Sequence, residues 1–257
     1  MSRMIALSVC SLKGGVGKTT VTLGLAGAAL RRGVPTLVVD LDPQADATSG
    51  LDVTARRTAD LAAVLDSPKR KIVDAALAPS GWADDHPGQL DVLVGSAASA
   101  LRDEPDPAGK DLAALAAALR KTPEHQLVLL DCPPSLGALT RSAWASSDLA
   151  LVVSDAGRFS VAAVDRALRE LGEQHGAARP LGVLVNRYSP RSAEHRFRLG
   201  ELRALVDGLL LEPLPERAVV QQAQGAGVPL HQLRSAAART LSATFDALLD
   251  RVLATRA

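Results

Sequence analysis

The chain has 257 residues, 47% of them hydrophobic, 22% charged and only 2% aromatic, with a formal net charge of +1. This profile excludes a disordered chain, allows a sizeable aliphatic core, and carries no bulk charge that would announce a nucleic-acid binder. No apolar run is long enough to span a bilayer. Cys10 and Cys132 lie far apart in apolar runs with no C-x-x-C pair, which fits reduced core thiols of a cytosolic protein rather than a zinc or iron–sulfur site.

In chain order, "MIALSVC" (4–10) predicts a first strand. It runs straight into a glycine-lysine loop, as a buried strand does and a signal peptide does not. The loop is "SLKGGVGKTT", Ser11 to Thr20. It fits the phosphate-loop pattern G-x-x-x-x-G-K-[ST] except at the first position, where Leu12 stands for glycine beside a second lysine, Lys13. A helix over 18–32 with a stop at Gly33 follows, then the strand "TLVVDLD" (36–42), which carries Asp40 and Asp42. The stretch 66–89 is rich in breakers and charge and reads as a surface excursion, and "RDEPDPAGK" (102–110) reads as a loop.

Further strands are predicted at "LDVLVG", "LVLLD" ending on Asp131, "LALVVS" and "LGVLVN" ending on Asn186, and helices over 111–121, 161–175 and 193–206. The final stretch, 233–257, reads as one helix. Apolar strands alternating with amphipathic helices give an α/β fold: a doubly wound, mainly parallel sheet flanked by helices, in a single domain over 1–257. The five histidines, His86, His125, His175, His195 and His231, read as surface residues.

A strand entering a glycine-rich loop and a helix leaving it make a phosphate site. Gly14, Gly15 and Gly17 let the backbone around Val16 turn its N–H groups inward, and the helix start at Lys18, Thr19 and Thr20 adds its free donors. Lys18 would neutralise β- and γ-phosphates and the Thr19 hydroxyl would ligate Mg²⁺. The bland alternative is a glycine-rich turn with two incidental lysines. Asp131, at the end of its strand, is a metal ligand or a loop cap, and taken alone it leaves both open.

"KGGVGKTT" resembles the deviant Walker A loop, xKGGxGK[ST], of the ParA/MinD superfamily of ATPases. "VVDLDPQADATSGL" and "LVLLDCPPSLG" resemble that superfamily's V-D-x-D-P-Q-G-N-A-T-S-G-L and D-x-P-P-S-L segments, in the expected order. The resemblance covers nearly the whole chain, and the D-P-Q run favours the ParA (Soj-like) partition branch. It implies a P-loop NTPase that hydrolyses ATP with Mg²⁺ in an ATP-dependent homodimer, where Lys13 reaches the partner's nucleotide. With Lys18, the catalytic set becomes Lys13, Lys18 and Asp42. Asp42 would organise the attacking water and the Mg²⁺ shell, Asp40 would be structural, and Asp131 would hold Mg²⁺ through water. Asn186 and Pro215 would lie near the adenine.

The resemblance further implies a cytoplasmic, nucleoid-associated DNA-segregation ATPase. Its dimer would bind double-stranded DNA without sequence preference and release it when a ParB-like centromere-binding or adaptor protein stimulates hydrolysis. The best basic candidate for DNA is Arg187, Arg191, Arg196, Arg198 and Arg203, with a solvated helix face as the alternative. The chain departs from the family pattern at four places: "LPERAVV" lacks an arginine near Val219, Asp155 replaces a glutamine, Arg158 stands where the family has an aromatic, and "ADAT" replaces G-N-A-T. Two other readings stay open, a relative that positions a non-DNA cargo on the nucleoid and a MinD-like membrane switch. The last helix is alanine-rich rather than bulky and basic, so it is expected to dock on the core, with no stable membrane association.

Overall fold

Among the described residues, seven strands form one sheet: β1 (Ile5–Cys10), β2 (Thr36–Asp40), β3 (Leu77–Pro79), β4 (Leu90–Leu93), β5 (Leu127–Asp131), β6 (Leu149–Asp155) and β7 (Arg179–Asn186). Their order is β3-β4-β2-β5-β1-β6-β7, and every neighbouring pair is parallel except β3 with β4. The computed structural model from which this is read describes residues 4–83, 89–105, 109–216 and 218–255, so His86 and parts of 66–89 and 102–110 lie outside the described residues.

The helices are α1 (Lys18–Arg31), α2 (Asp46–Gly50), α3 (Leu61–Asp66), α4 (Arg70–Ala76), α5 (Gly109–Leu119), α6 (Ala138–Ser146), α7 (Arg158–Glu173), α8 (Ala193–Leu205), α9 (Ala218–Ala226) and α10 (Ala236–Ala254). They cover both faces of the sheet, and the strands alternate between two cores accordingly. Ile5, Leu7 and Val9 of β1 join Leu127 and Leu129 of β5 against α1 and α10. Ala6 and Cys10 join Val128 and Leu130 on the other face, with α3 to α8. Burial on both sides is why these strands read as continuous apolar runs.

The chain leaves β1 toward β2 on one side and returns through β5 to reach β6 on the other. The C-terminal end of β1 is therefore where the strand order reverses, the place where such sheets bind ligands. α1 starts there and stops at Gly33, whose φ of +64° suits glycine. The stop is a Schellman motif: Gly33 N–H donates to Leu30 O and Val34 N–H to Ala29 O, both at 3.0 Å.

Two expectations are corrected. The stretch 66–89 is not merely a surface excursion: it contains α4 and the antiparallel edge strand β3, with Val73, Ala76 and Ala78 buried. Three residues are too few for strand alternation to show, and Pro79 is tolerated because β3 is an edge. His125 is not a surface residue. It is 1% exposed, and its Nε2 lies 2.8 Å from an Asp91 oxygen. α10 docks on α1 as expected, burying Leu241, Phe245, Leu248, Leu249 and Val252, with Arg32 paired to Asp250 at 2.6 Å and Arg31 paired to Asp246. Both cysteines are buried and free. Among the described residues, no helix is long and apolar enough to cross a membrane.

Candidate nucleotide site

The loop after β1 opens onto a cleft of about 800 Å³ at the C-terminal edge of the sheet. Gly14, Gly15, Gly17, Lys18, Thr19 and Thr20 line one wall, and Asp42, Pro43 and Gln44 face them. Gly17 sits at the N-cap of α1 with φ +93°, and no side chain caps that end, so the first N–H groups of α1 point at the cleft unclaimed. A side chain at Gly17 would also collide with the Asn186 amide, which donates to Val16 O at 2.9 Å. Asn186 thus braces the loop from β7 rather than lining the cleft, and Val16 is buried in the core beneath it. Pro215 pairs with Tyr188 in a short parallel bridge beyond β7, also outside the cleft lining.

Lys18 is 6% exposed, so its ammonium is available only toward the cleft. Behind it, Asp131 accepts from Thr19 Oγ1 at 2.7 Å and from Thr22 Oγ1 at 2.8 Å. Burial, followed by repulsion from Asp40, pushes the Asp131 carboxyl up to about 7. Asp40 is likewise raised to about 6, chiefly by burial. One Asp40 oxygen accepts from Thr48 N–H at 2.7 Å and Thr48 Oγ1 at 2.6 Å, while the other is buried. Thr48 Oγ1 in turn accepts from Gly95 N–H at 3.0 Å. Asp40 is thereby the anchor of the segment that carries Asp42, which is half-buried and accepts from Gln44 N–H at 3.0 Å.

This donor set fits Mg²⁺. One hydroxyl and the carboxylates are hard oxygen ligands, few enough to leave most of an octahedral shell to water and phosphate. Among the described residues, no cluster of three or more His, Cys, Asp or Glu side chains forms a protein-only metal cage.

Asp103 and Arg187, which the sequence did not assign to this site, also line it. Asp103 reaches the cleft while accepting from Ser135 Oγ at 2.6 Å and from Leu139 N–H at 3.1 Å, tying the loop after β4 to the start of α6. Arg187 adopts φ +55°, which turns it away from α8 into the cleft, where it donates to Gly15 O at 2.9 Å. The other four arginines divide as well. Arg191, Arg196 and Arg203 are exposed, whereas Arg198 is held by Glu194 at 2.6 Å and Glu201 at 2.7 Å. Val219, near which this chain lacks the arginine of the family pattern, is buried in the α1 and α10 core. Lys13 is absent from the cleft wall and turns to the β6–α7 corner instead.

A family model described as an AAA domain matches residues 2–179. The chain is 34% identical over 209 residues to the chromosome-partitioning ATPase Soj of Thermus thermophilus, covering 79% of this chain and 76% of that protein. The chain belongs to the ParA/MinD superfamily. A second superfamily relative, the chromosome partitioning protein ParA of Caulobacter vibrioides, is 30% identical over 235 residues, with 87% and 85% of the two chains covered. An ATP complex of an McdA variant from Cyanothece superposes with a TM-score of 0.84 at 20% identity, over 99% of this chain and 98% of that one. At that identity the match speaks for the superfamily's fold, and the seven-stranded, mostly parallel P-loop sheet agrees with it.

Proposed function

We propose that this chain is a Mg²⁺-dependent ATPase that hydrolyses ATP in a nucleotide-sandwich homodimer and, in its ATP state, holds duplex DNA without reading its sequence. The observation that carries the reading is the convergence of Lys18, Thr19 and Asp42 on one cleft at the open end of α1, with Asp131 bonded to Thr19 behind its wall. The partition ATPases among its sequence relatives support the same reading.

Mg²⁺, when bound, supplies positive charge to the β- and γ-phosphate oxygens. The Thr19 hydroxyl would ligate it and Asp131 would hold its water. Lys18 and the free N–H groups of α1 neutralise the phosphates from the loop side. Asp42, on the facing wall, orients the attacking water. Lys13 completes the charge on the nucleotide of a second copy. Arg191, Arg196 and Arg203 contact DNA phosphates, each neutralised phosphate steepening the fall of affinity with salt. A ParB-like adaptor stimulates turnover, and nucleoid association follows from DNA binding.

The test is sedimentation and DNA binding with and without Mg²⁺–ATP. Dimers and salt-sensitive, sequence-indifferent DNA binding are expected only with ATP, and Arg196→Glu with Arg203→Glu should weaken DNA binding while sparing basal hydrolysis. DNA affinity unmoved by nucleotide or salt would overturn the DNA half of this reading, and a chain that stays monomeric with ATP would overturn the dimer half.

A further inference from the structure

Lys13 is not a free lysine waiting at the rim of the cleft. Its ammonium stands 2.8 Å and 3.0 Å from the two oxygens of Asp155, the last residue of β6, and 3.0 Å from the Ser160 hydroxyl in the first turn of α7. Ser160 also donates to Asp155, so the three side chains close a ring. The ring lies at one corner of the fold, with Gly157 so close that a Cβ there would stand 3.4 Å from the Lys13 nitrogen. The two oxygens of the carboxylate share one ammonium proton and the Ser160 hydroxyl takes a second. In this arrangement the Lys13 charge is neutralised within its own subunit and turned away from the cleft.

The ring is stable enough to matter and open enough to break. Burial opposes the Asp155 charge, but the hydrogen bonds from Lys13 and Ser160 outweigh it and hold the carboxyl below the usual carboxylate range. The Lys13 and Asp155 side chains are 35% and 30% exposed, so water and salt reach the pair and keep it exchangeable.

We propose that Asp155 and Ser160 are positioning residues for Lys13, holding it within its own subunit until the more highly charged polyphosphate of a second copy takes the ammonium from the carboxylate. The inference rests on the dimer reading above and adds a threshold to it. A chain whose competent form is only partly populated binds more weakly by that fraction, and a symmetric dimer needs two released lysines. A ring closed nine-tenths of the time would thus weaken dimerisation by about 100-fold, the one-tenth competent fraction entering twice. ADP, with one phosphate fewer, competes less well with Asp155 than ATP does, so the ring sharpens the distinction between the two nucleotides.

Two measurements test this in the full chain. The first is dimerisation against protein concentration, by sedimentation velocity with ATP or ADP, for wild type, Asp155→Asn, Ser160→Ala, Lys13→Ala and the Lys13→Ala/Asp155→Asn pair. Asp155→Asn should dimerise with ATP at a concentration at least several-fold lower and gain measurable dimer with ADP. Ser160→Ala should shift the same way by less, and the double variant should behave as Lys13→Ala alone. The second is reductive methylation of the nucleotide-free monomer read by mass spectrometry, in which Lys13 should be protected in wild type and exposed in Asp155→Asn. Circular dichroism checks that each variant folds, and Ser160→Ala carries the test if Asp155→Asn does not.

Wild type that dimerises with ATP no less readily than the folded ring variants, or equal Lys13 labelling in wild type and variants, overturns the ring. Wild type that stays monomeric with ATP while its Lys13 is protected overturns the dimer reading and the transfer that rests on it, and leaves the ring itself supported.

Discussion

Asp40 and Asp131 are register partners on the adjacent parallel strands β2 and β5, and both are fully buried. Their carboxyls, raised to about 6 and about 7, bind protons more readily in the folded chain than in the unfolded one. Between the ordinary carboxylate range and these values the folded state holds more protons, so stability falls as pH rises through about 6 and then about 7. The metal-free protein should therefore lose stability from pH 5 to pH 8, with Asp40 alone accounting for roughly 1–2 kcal/mol over that range. Added Mg²⁺ should recover part of the loss at pH 8 and almost none at pH 5. Thermal melts in chelator and in Mg²⁺ across that range check this, and a flat profile in chelator would refute it.

Lys18→Ala removes the buried ammonium from the cleft wall while leaving the loop's backbone intact. ATP affinity should drop by about 100-fold or more, the scale of losing one partner of a buried charge pair. Asp131→Ala should act differently, erasing the advantage of Mg²⁺–ATP over metal-free ATP. Calorimetry with and without Mg²⁺ separates the two, and equal losses in both conditions would reduce Asp131 to a strand cap.

Gly24 of α1 lies directly under the ring of Phe245 in α10, where a Cβ would overlap the ring atoms. Gly24→Ala should destabilise the chain by about 1–3 kcal/mol through overpacking. Pairing it with Phe245→Leu should cost less than the sum of the two single changes. Denaturant melts decide this, and strict additivity would mean that the two sites do not touch.

The Cys10 thiol, pushed up to about 11 by burial, and the Cys132 thiol, raised by burial as well, carry almost no thiolate at pH 8. The native protein should leave both unmodified by a disulfide reagent, and unfolding should release two reactive thiols. Rapid labelling of the folded chain would contradict their position in the core.

Most of this site was legible in the sequence because its chemistry is local. The loop, Lys18 and Thr19 are contiguous, Asp131 ends an apolar strand and Asp42 follows another by two residues, and burial on both faces makes those strands conspicuous. β5 occupies the expected 127–131. The parts that escaped depend on distant meetings or on a single backbone angle. Asp155 is 142 residues from Lys13, and nothing along the chain links them. Arg187 was grouped with the α8 arginines by adjacency, yet its positive φ sends it to the opposite neighbour, the phosphate loop. His125 gave no sign of burial because its partner, Asp91, sits 34 residues earlier on β4.

The contact of α1 with α10 also bears on how the protein is made. The helix that carries Lys18 buries its apolar face against residues 241–252, which are synthesised more than 200 positions later. On the ribosome, that face lacks its α10 cover until after the whole sheet has been synthesised, exposing an aliphatic surface for most of translation. The phosphate loop therefore rests on a support that arrives late, and a nascent chain should acquire nucleotide affinity only after α10 has cleared the exit tunnel.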